Sequence, residues 1–328
     1  MPKLSCITTT FNDGAALLGS VRSVLGQSFE DFEYLIVDDG STDDTPDILA
    51  GLDDPRLRVI RQANDGLSGA RNKALEQVRG AWVCFLDADD CRPSWAFAAI
   101  MDAAAAHAPD LILCRGALSE VRGDLAPFYD TAAFDALEAL CPDGAADAAD
   151  PAITRIRAWA QTVEPQAANK AVRAELLRDP RLRFPDTHFF EDIYFHTNVL
   201  AAADRVAFVQ SPCFTYFRRY RRPQITATAS DTRFDILPVM RMTLQSFADR
   251  PQFRDPEHRA AVLLSCLKLA EWCGSTIAHP HRAAHRDLLR AVLRLADPRW
   301  LELPDPLPPP LEPFAHLLPH LDEARNAA

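Results

Sequence analysis

The chain has 328 residues, 48% apolar and 25% charged, with a net charge of −11. That length holds one full α/β domain and a smaller appendage, and the acidic balance argues against a nucleic-acid partner, which a basic face would attract. No stretch approaches the ~20 apolar residues of a membrane span or shows a signal-peptide pattern, and none of the eight cysteines stands in a CxxC pair, so they predict small buried hydrophobes in a reducing, cytoplasmic compartment.

Residues 4–10 form a short β-branched run that predicts a strand. Asp13-Gly14 breaks it, and Leu17, Leu18, Val21, Val24 and Leu25 then recur at helical spacing. The strand at 32–37 ends in Asp38-Asp39-Gly40-Ser41, where Ser41 or Thr42 would cap a helix at 45–52. A strand at 57–61, a helix at 68–78, a strand at 82–86 ending in Asp87, a helix at 93–106 and a strand at 111–114 follow. Strands separated by helices imply parallel pairing, with ligands beyond the carboxyl ends of the strands. Two of those ends carry acidic clusters, Asp38-Asp39 and Asp87-Ala88-Asp89-Asp90. Residues 123–165, rich in Ala, Asp and Pro, read as a surface excursion with a helix or two. Regularity returns at 169–177, a helix is expected at 189–200, and helices dominate from 231 to 295. The tail, with seven prolines from Pro304 to Pro319, reads as extended, wrapped or loose.

Each cluster has a plain structural reading beside a chemical one. Alternate carboxylates at 87, 89 and 90 can direct oxygen ligands at a hard divalent cation, or merely cap the following helix. Asp39 can accept hydrogen bonds from a base or ribose, or close a turn. The loop at 64–72 opens a helix with backbone NH groups and Arg71 available to phosphate or ribose, yet it has neither the dinucleotide nor the P-loop glycine spacing. Glu191-Asp192 follows Phe189-Phe190, whose rings would desolvate a carboxylate and raise its pKa as a general base requires. Acids at a helix start also need no function at all.

Taken in order, Thr8-Thr9-Thr10-Phe11-Asn12, Asp38-Asp39-Gly40-Ser41, the 64–72 loop, Asp87-Ala88-Asp89-Asp90 and Glu191-Asp192 resemble the family 2 glycosyltransferases, as do residues 27–34 and Asn169-Lys170. The resemblance covers residues 3–115 and 165–228. It implies a GT-A fold, α/β with a mostly parallel central sheet flanked by helices. Residues 1–228 would be the catalytic domain, 1–115 holding the nucleotide-sugar and 116–228 the acceptor. Residues 229–328, which gain no support from the resemblance, would form a mainly helical region with the Pro-rich tail.

The resemblance further implies an inverting transfer from a nucleotide-sugar donor, by default a UDP-sugar, to a glycan or lipid-linked saccharide acceptor. Asp39 would meet the base, Thr9 and Phe11 would line its pocket, and Asn64, Gly66 and Arg71 would support nucleoside and diphosphate. Asp87 would sit near ribose and metal, Asp89 would hold Mn²⁺ or Mg²⁺, and Asp192 would be the base. Thr9 stands where the family often has proline, and no third metal ligand is identifiable. A catalytically silent nucleotide-sugar-binding scaffold and a nucleotidyltransferase are the alternatives. The latter usually needs a basic loop after the first strand, and no Lys or Arg lies between Thr10 and Arg22.

Four further side chains are candidates for acceptor or phosphate contact: Glu191, His196, and Arg219 and Arg221 in the aromatic-basic run 216–223. In 281–295, Leu288, Leu289, Val292 and Leu295 can share one helix face, with Arg282, Arg286, Arg290 and Arg294 on another. Such a helix packs on the catalytic domain, rests on an anionic inner membrane face, or joins a homodimer.

Overall fold

The computed structural model describes residues 1–120, 123–186, 189–218 and 229–326. In chain order the first half comprises β1 (Leu4–Thr10), α1 (Leu17–Leu25), β2 (Phe32–Asp38), α2 (Thr45–Ala50), β3 (Leu57–Arg61), α3 (Gly66–Leu75), β4 (Trp82–Phe85), α4 (Ala96–His107) and β5 (Leu111–Ser119). Then come β6 (Leu125–Pro127), α5 (Thr131–Leu140), β7 (Ala145–Ala146), α6 (Ile153–Ala160), β8 (Lys170–Arg173), α7 (Glu191–Ala202) and β9 (Val206–Phe217). The C-terminal region adds α8 (Ile236–Ala248), α9 (Pro256–Thr276), α10 (Arg282–Leu295) and α11 (Leu318–Asn326).

The strands form one mixed sheet of order β3-β2-β1-β4-β8-β5-β9-β7, with β6 against β5. Pairing is parallel from β3 through β4, as strand–helix alternation requires. Beyond β4 the directions are mixed: β8 runs antiparallel to both neighbours, while β9 is parallel to β5. β5 continues past Cys114 through a register shift at Gly116, where an added Cβ would stand 2.4 Å from the Phe214 ring. A glycine in a strand here marks close packing rather than a strand end.

Alternation along the strands sends side chains to two cores. Ile7, Leu35, Val37, Val83 and Phe85 pack against α3, α5, α6 and α7. Cys6, Tyr34, Ile36 and Cys84 pack against α1, α2 and α4. All eight cysteines are free thiols, seven of them buried. The stretch after residue 123 is therefore not a mere surface excursion, since Phe134, Leu137 and Ile156 close the first core. Alanine-rich surroundings dilute their periodicity in the sequence.

A third core joins α8–α11 to Ala158 of α6 and to Ile193 and Ala201 of α7. The tail is wrapped onto it, but as a 3-10 turn and α11 rather than as extended chain, with Leu311, Leu317 and Leu321 buried. On α10 the inward residues are His285, Leu289 and Leu293, whereas Leu288 and Leu295 are exposed, so the expected apolar face is rotated. Ser41 and Thr42 do not cap α2, whose N-cap position is Asp44. They instead tie two loops together, Ser41 accepting from the Asn12 NH and Thr42 NH donating to Asn12 Oδ1. No helix among the described residues is long and apolar enough to cross a membrane.

Candidate functional site

In β1 and β2 the register sets Thr10 beside Asp38, and in β1 and β4 it sets Ile7 beside Phe85. The loops after β1, β2 and β4 thus leave the sheet at one edge. Asp38 is consumed internally, accepting from the Ser41 NH at 2.9 Å and pairing with Arg61. Asp39 is buried and accepts at Oδ1 from Gln62 Nε2 (2.7 Å) and from the Asp65 NH (2.9 Å). Its carbonyl accepts from Asn64 Nδ2, so β2's end and the 64–72 loop are one unit. Gly40 has φ +80°, and a Cβ there would lie 2.9 Å from the Asn64 nitrogen. Gly66 has φ +75° and faces open space, which only glycine adopts without strain. At the mouth, Thr9 is partly exposed and the Phe11 ring is 48% exposed, leaving an aromatic face available for stacking.

Arg71 holds the centre. Its buried guanidinium donates to Glu191 Oε1 at 2.7 Å, Asp192 Oδ1 at 2.9 Å and Asp87 Oδ1 at 3.0 Å. It lies over the Phe184 ring, which stacks on Phe195. The loop reading anticipated Arg71 turned to a nucleotide. Its described contacts clamp the end of β4 to the start of α7, with planar, multidentate geometry that lysine could not reproduce. Asn72 completes the joint, exchanging two hydrogen bonds with the Phe184 backbone.

Three carboxylates around one guanidinium cannot all be charged cheaply in a buried place. Burial, and then the Asp192 charge, push Glu191 up to about 8. Burial also raises Asp192, against the Arg71 charge that pulls it down. Lys170, fully enclosed, donates to Gln166 O and Asn169 Oδ1, and burial lowers it to about 7 in spite of Asp192 and Asp130. The Asp192 side chain is 25% exposed, and among the described residues its second oxygen takes no hydrogen bond from the protein. A carboxylate so held has one oxygen anchored and one presented. Phe190, just before it, has φ +66°, a left-handed conformation costing an aromatic residue roughly 1–3 kcal/mol and typical of functional sites.

The Asp87 side chain is 41% exposed and Asp89 is partly exposed. Among the described residues no three His, Cys, Asp or Glu side chains gather to hold a metal alone. Two carboxylates nonetheless fit a hard divalent cation that takes its other ligands from a diphosphate and water. Asp90 is turned inward and accepts from the Phe217 NH at 3.1 Å.

His196 is corrected by its surroundings. It is on Asp192's helix but one turn deeper, wholly buried, with Nε2 3.1 Å from Ala160 O; it supports α6 and meets no acceptor. Arg219 and Arg221 lie outside the described residues. Gln62, Phe184, Asp130 and Arg92 were not legible as site residues. The contacts that tie Gln62 to Asp39, Phe184 to Arg71, Asp130 to Glu164 and Arg92 to Cys213 join distant parts of the chain, and only Arg92, two residues after Asp90, had any signal in its position.

Residues 5–131 match the family model described as Glycosyl transferase family 2. The chain is 39% identical over 108 residues to a GalNAc(5)-diNAcBac-PP-undecaprenol beta-1,3-glucosyltransferase of Campylobacter jejuni, covering 32% of this chain and 35% of that protein. It is 30% identical over 224 residues to the EpsH protein of Bacillus subtilis, covering 66% and 60% respectively. The chain therefore spans less than two-thirds of these curated relatives. In three dimensions it superposes on S. aureus TarS 1-349 in complex with UDP-GlcNAc with a TM-score of 0.71 at 20% identity, over 98% of this chain and 89% of that one. That likeness establishes the GT-A fold.

Proposed function

We propose, from the match of residues 5–131 to glycosyl transferase family 2, that the chain moves one sugar from a nucleotide-sugar to a saccharide hydroxyl with inversion. The observation that carries the proposal is the Arg71 clamp, which joins Asp192 to Asp87 through bonds of 2.9 and 3.0 Å. A base and a donor-side carboxylate are thereby fixed on either side of one point. In this reading Asp39, Phe11 and Thr9 receive the nucleobase and the 64–66 turn borders the ribose and diphosphate. Asp192 takes the proton of the acceptor hydroxyl, whose oxygen bonds to the anomeric carbon as the bond to the diphosphate breaks on the opposite face. Asp87 and Asp89 would hold Mn²⁺ or Mg²⁺, which supplies charge neutralisation to the departing diphosphate.

UDP-GlcNAc in TarS and the undecaprenol-linked acceptor of the Campylobacter enzyme support a UDP-sugar donor, a lipid-linked saccharide acceptor and a place in glycolipid or polysaccharide synthesis. Peripheral contact with an anionic membrane belongs to the same reading, through exposed Arg286 and Arg294 of α10 and the neighbouring Leu295, 77% exposed. The test is nucleotide release from a panel of UDP-, GDP- and dTDP-sugars with Mn²⁺ or EDTA. We expect one donor to be turned over, with loss in Asp89→Ala. Asp192→Asn should lower acceptor-dependent turnover by about 10²–10⁴-fold. Folded protein that binds no nucleotide-sugar would sink the proposal.

A further inference from the structure

The C-terminal helices carry no part of the family resemblance, yet α9 reaches the start of α7. Its Trp272 meets the Phe190 ring edge-to-face at 6.3 Å, and Phe190 stands two residues before Asp192. Both rings are partly exposed. Trp272 is held from one side by the Arg233 guanidinium, 3.9 Å from its ring centroid and itself buried. One turn earlier on the same helix face, Lys268 pairs with Glu164 Oε2 at 2.6 Å, the two side chains 36% and 17% exposed. Glu164 NH donates to Asp130 Oδ2, and Glu164 O accepts from Asn169, the neighbour of Lys170. An aromatic pair, an ammonium and a carboxylate thus link α9 to the residues just before Asp192 and Lys170.

We infer that α9 builds the acceptor side of the site, with Phe190 and Trp272 as the wall for the apolar face of a pyranose and the Lys268–Glu164 pair as the reader of its hydroxyls. The inference rests on the glycosyltransferase reading above. A pyranose presents C–H groups on one face and hydroxyls around its rim, and an aromatic wall beside a paired ammonium and carboxylate matches both. Lys268 has three donors and spends one on Glu164. The strained φ of Phe190 gains a reason, since the residue that opens α7 in this conformation sets its ring against Trp272.

Two variants separate this role from a structural one. Phe190→Gly removes the ring where glycine accepts φ +66° without strain, and Trp272→Leu keeps apolar volume while deleting the aromatic face. The probes are p-nitrophenyl pyranosides and an alkyl-diphosphate-linked pyranose, offered with the donor found in the panel above. In both variants KM for the pyranose should rise at least tenfold while KM for the donor stays within twofold. An unchanged pyranose KM, equal changes in both KM values, or wild-type protein that hydrolyses donor yet glycosylates no probe would overturn the inference. Wild-type protein that neither binds nor hydrolyses any nucleotide-sugar would instead remove the glycosyltransferase reading beneath it.

Discussion

At the scale of single residues, Arg71 and the carboxylates it serves decide how the site behaves with pH and on substitution. Glu191 is raised from its unfolded value near 4.5 to about 8, so the folded chain binds a proton that the unfolded chain releases across that window. Its contribution to stability is fully present below about 4.5 and is lost as pH rises to about 8. Glu191→Gln should flatten this decline, by at most about 1.4 kcal/mol per pH unit, in urea melts at pH 5, 6.5 and 8. Arg71→Met leaves buried carboxylates without their counter-charge and should cost about 3–5 kcal/mol by the same melts. Adding Asp192→Asn should recover part of that loss, because a neutral amide needs the guanidinium less. Strict additivity in the double-mutant cycle would mean that Arg71 does not hold Asp192.

At the scale of elements, the turn after β2 and the tail each depend on a few positions. Gly40→Ala places a Cβ 2.9 Å from the Asn64 nitrogen at φ +80°, a combination expected to cost about 1–3 kcal/mol. Since Asp39 and Asn64 flank that turn, nucleotide affinity should fall with it, read by isothermal titration with UDP. α11 is short, but Leu321 is 1% exposed in the third core. Leu321→Ala should destabilise the chain by about 2–5 kcal/mol, visible as a lower urea midpoint; an unchanged midpoint would show the tail detached in solution. The motifs of this scale were legible early. Short strands, Gly turns and strand-end aspartates announce themselves by local chemistry, whereas β5 beyond Gly116 and α5 did not, because their pattern is broken or diluted by small residues.

At the scale of the whole molecule, the C-terminal region shares a core with α6 and α7, through Ala158, Ile193 and Ala201. Ending the chain after residue 228 would strip the apolar cover from Ile193, the residue following Asp192. We expect such a truncation to expose hydrophobic surface, measured as dye binding, and to lose donor turnover even though every motif of the family resemblance remains. Retained turnover would show the third core to be dispensable to the base. By itself the sequence determined the parallel half of the sheet, the strand-end loops and the identity of the acidic motifs, because each is set by residues near one another in the chain. Only the tertiary structure decided that Arg71 joins Asp87 to Glu191 and Asp192, that His196 is buried, and that Trp272 of α9 meets Phe190 at the start of α7. Those contacts join residues up to 121 positions apart, and packing, not local propensity, selects them.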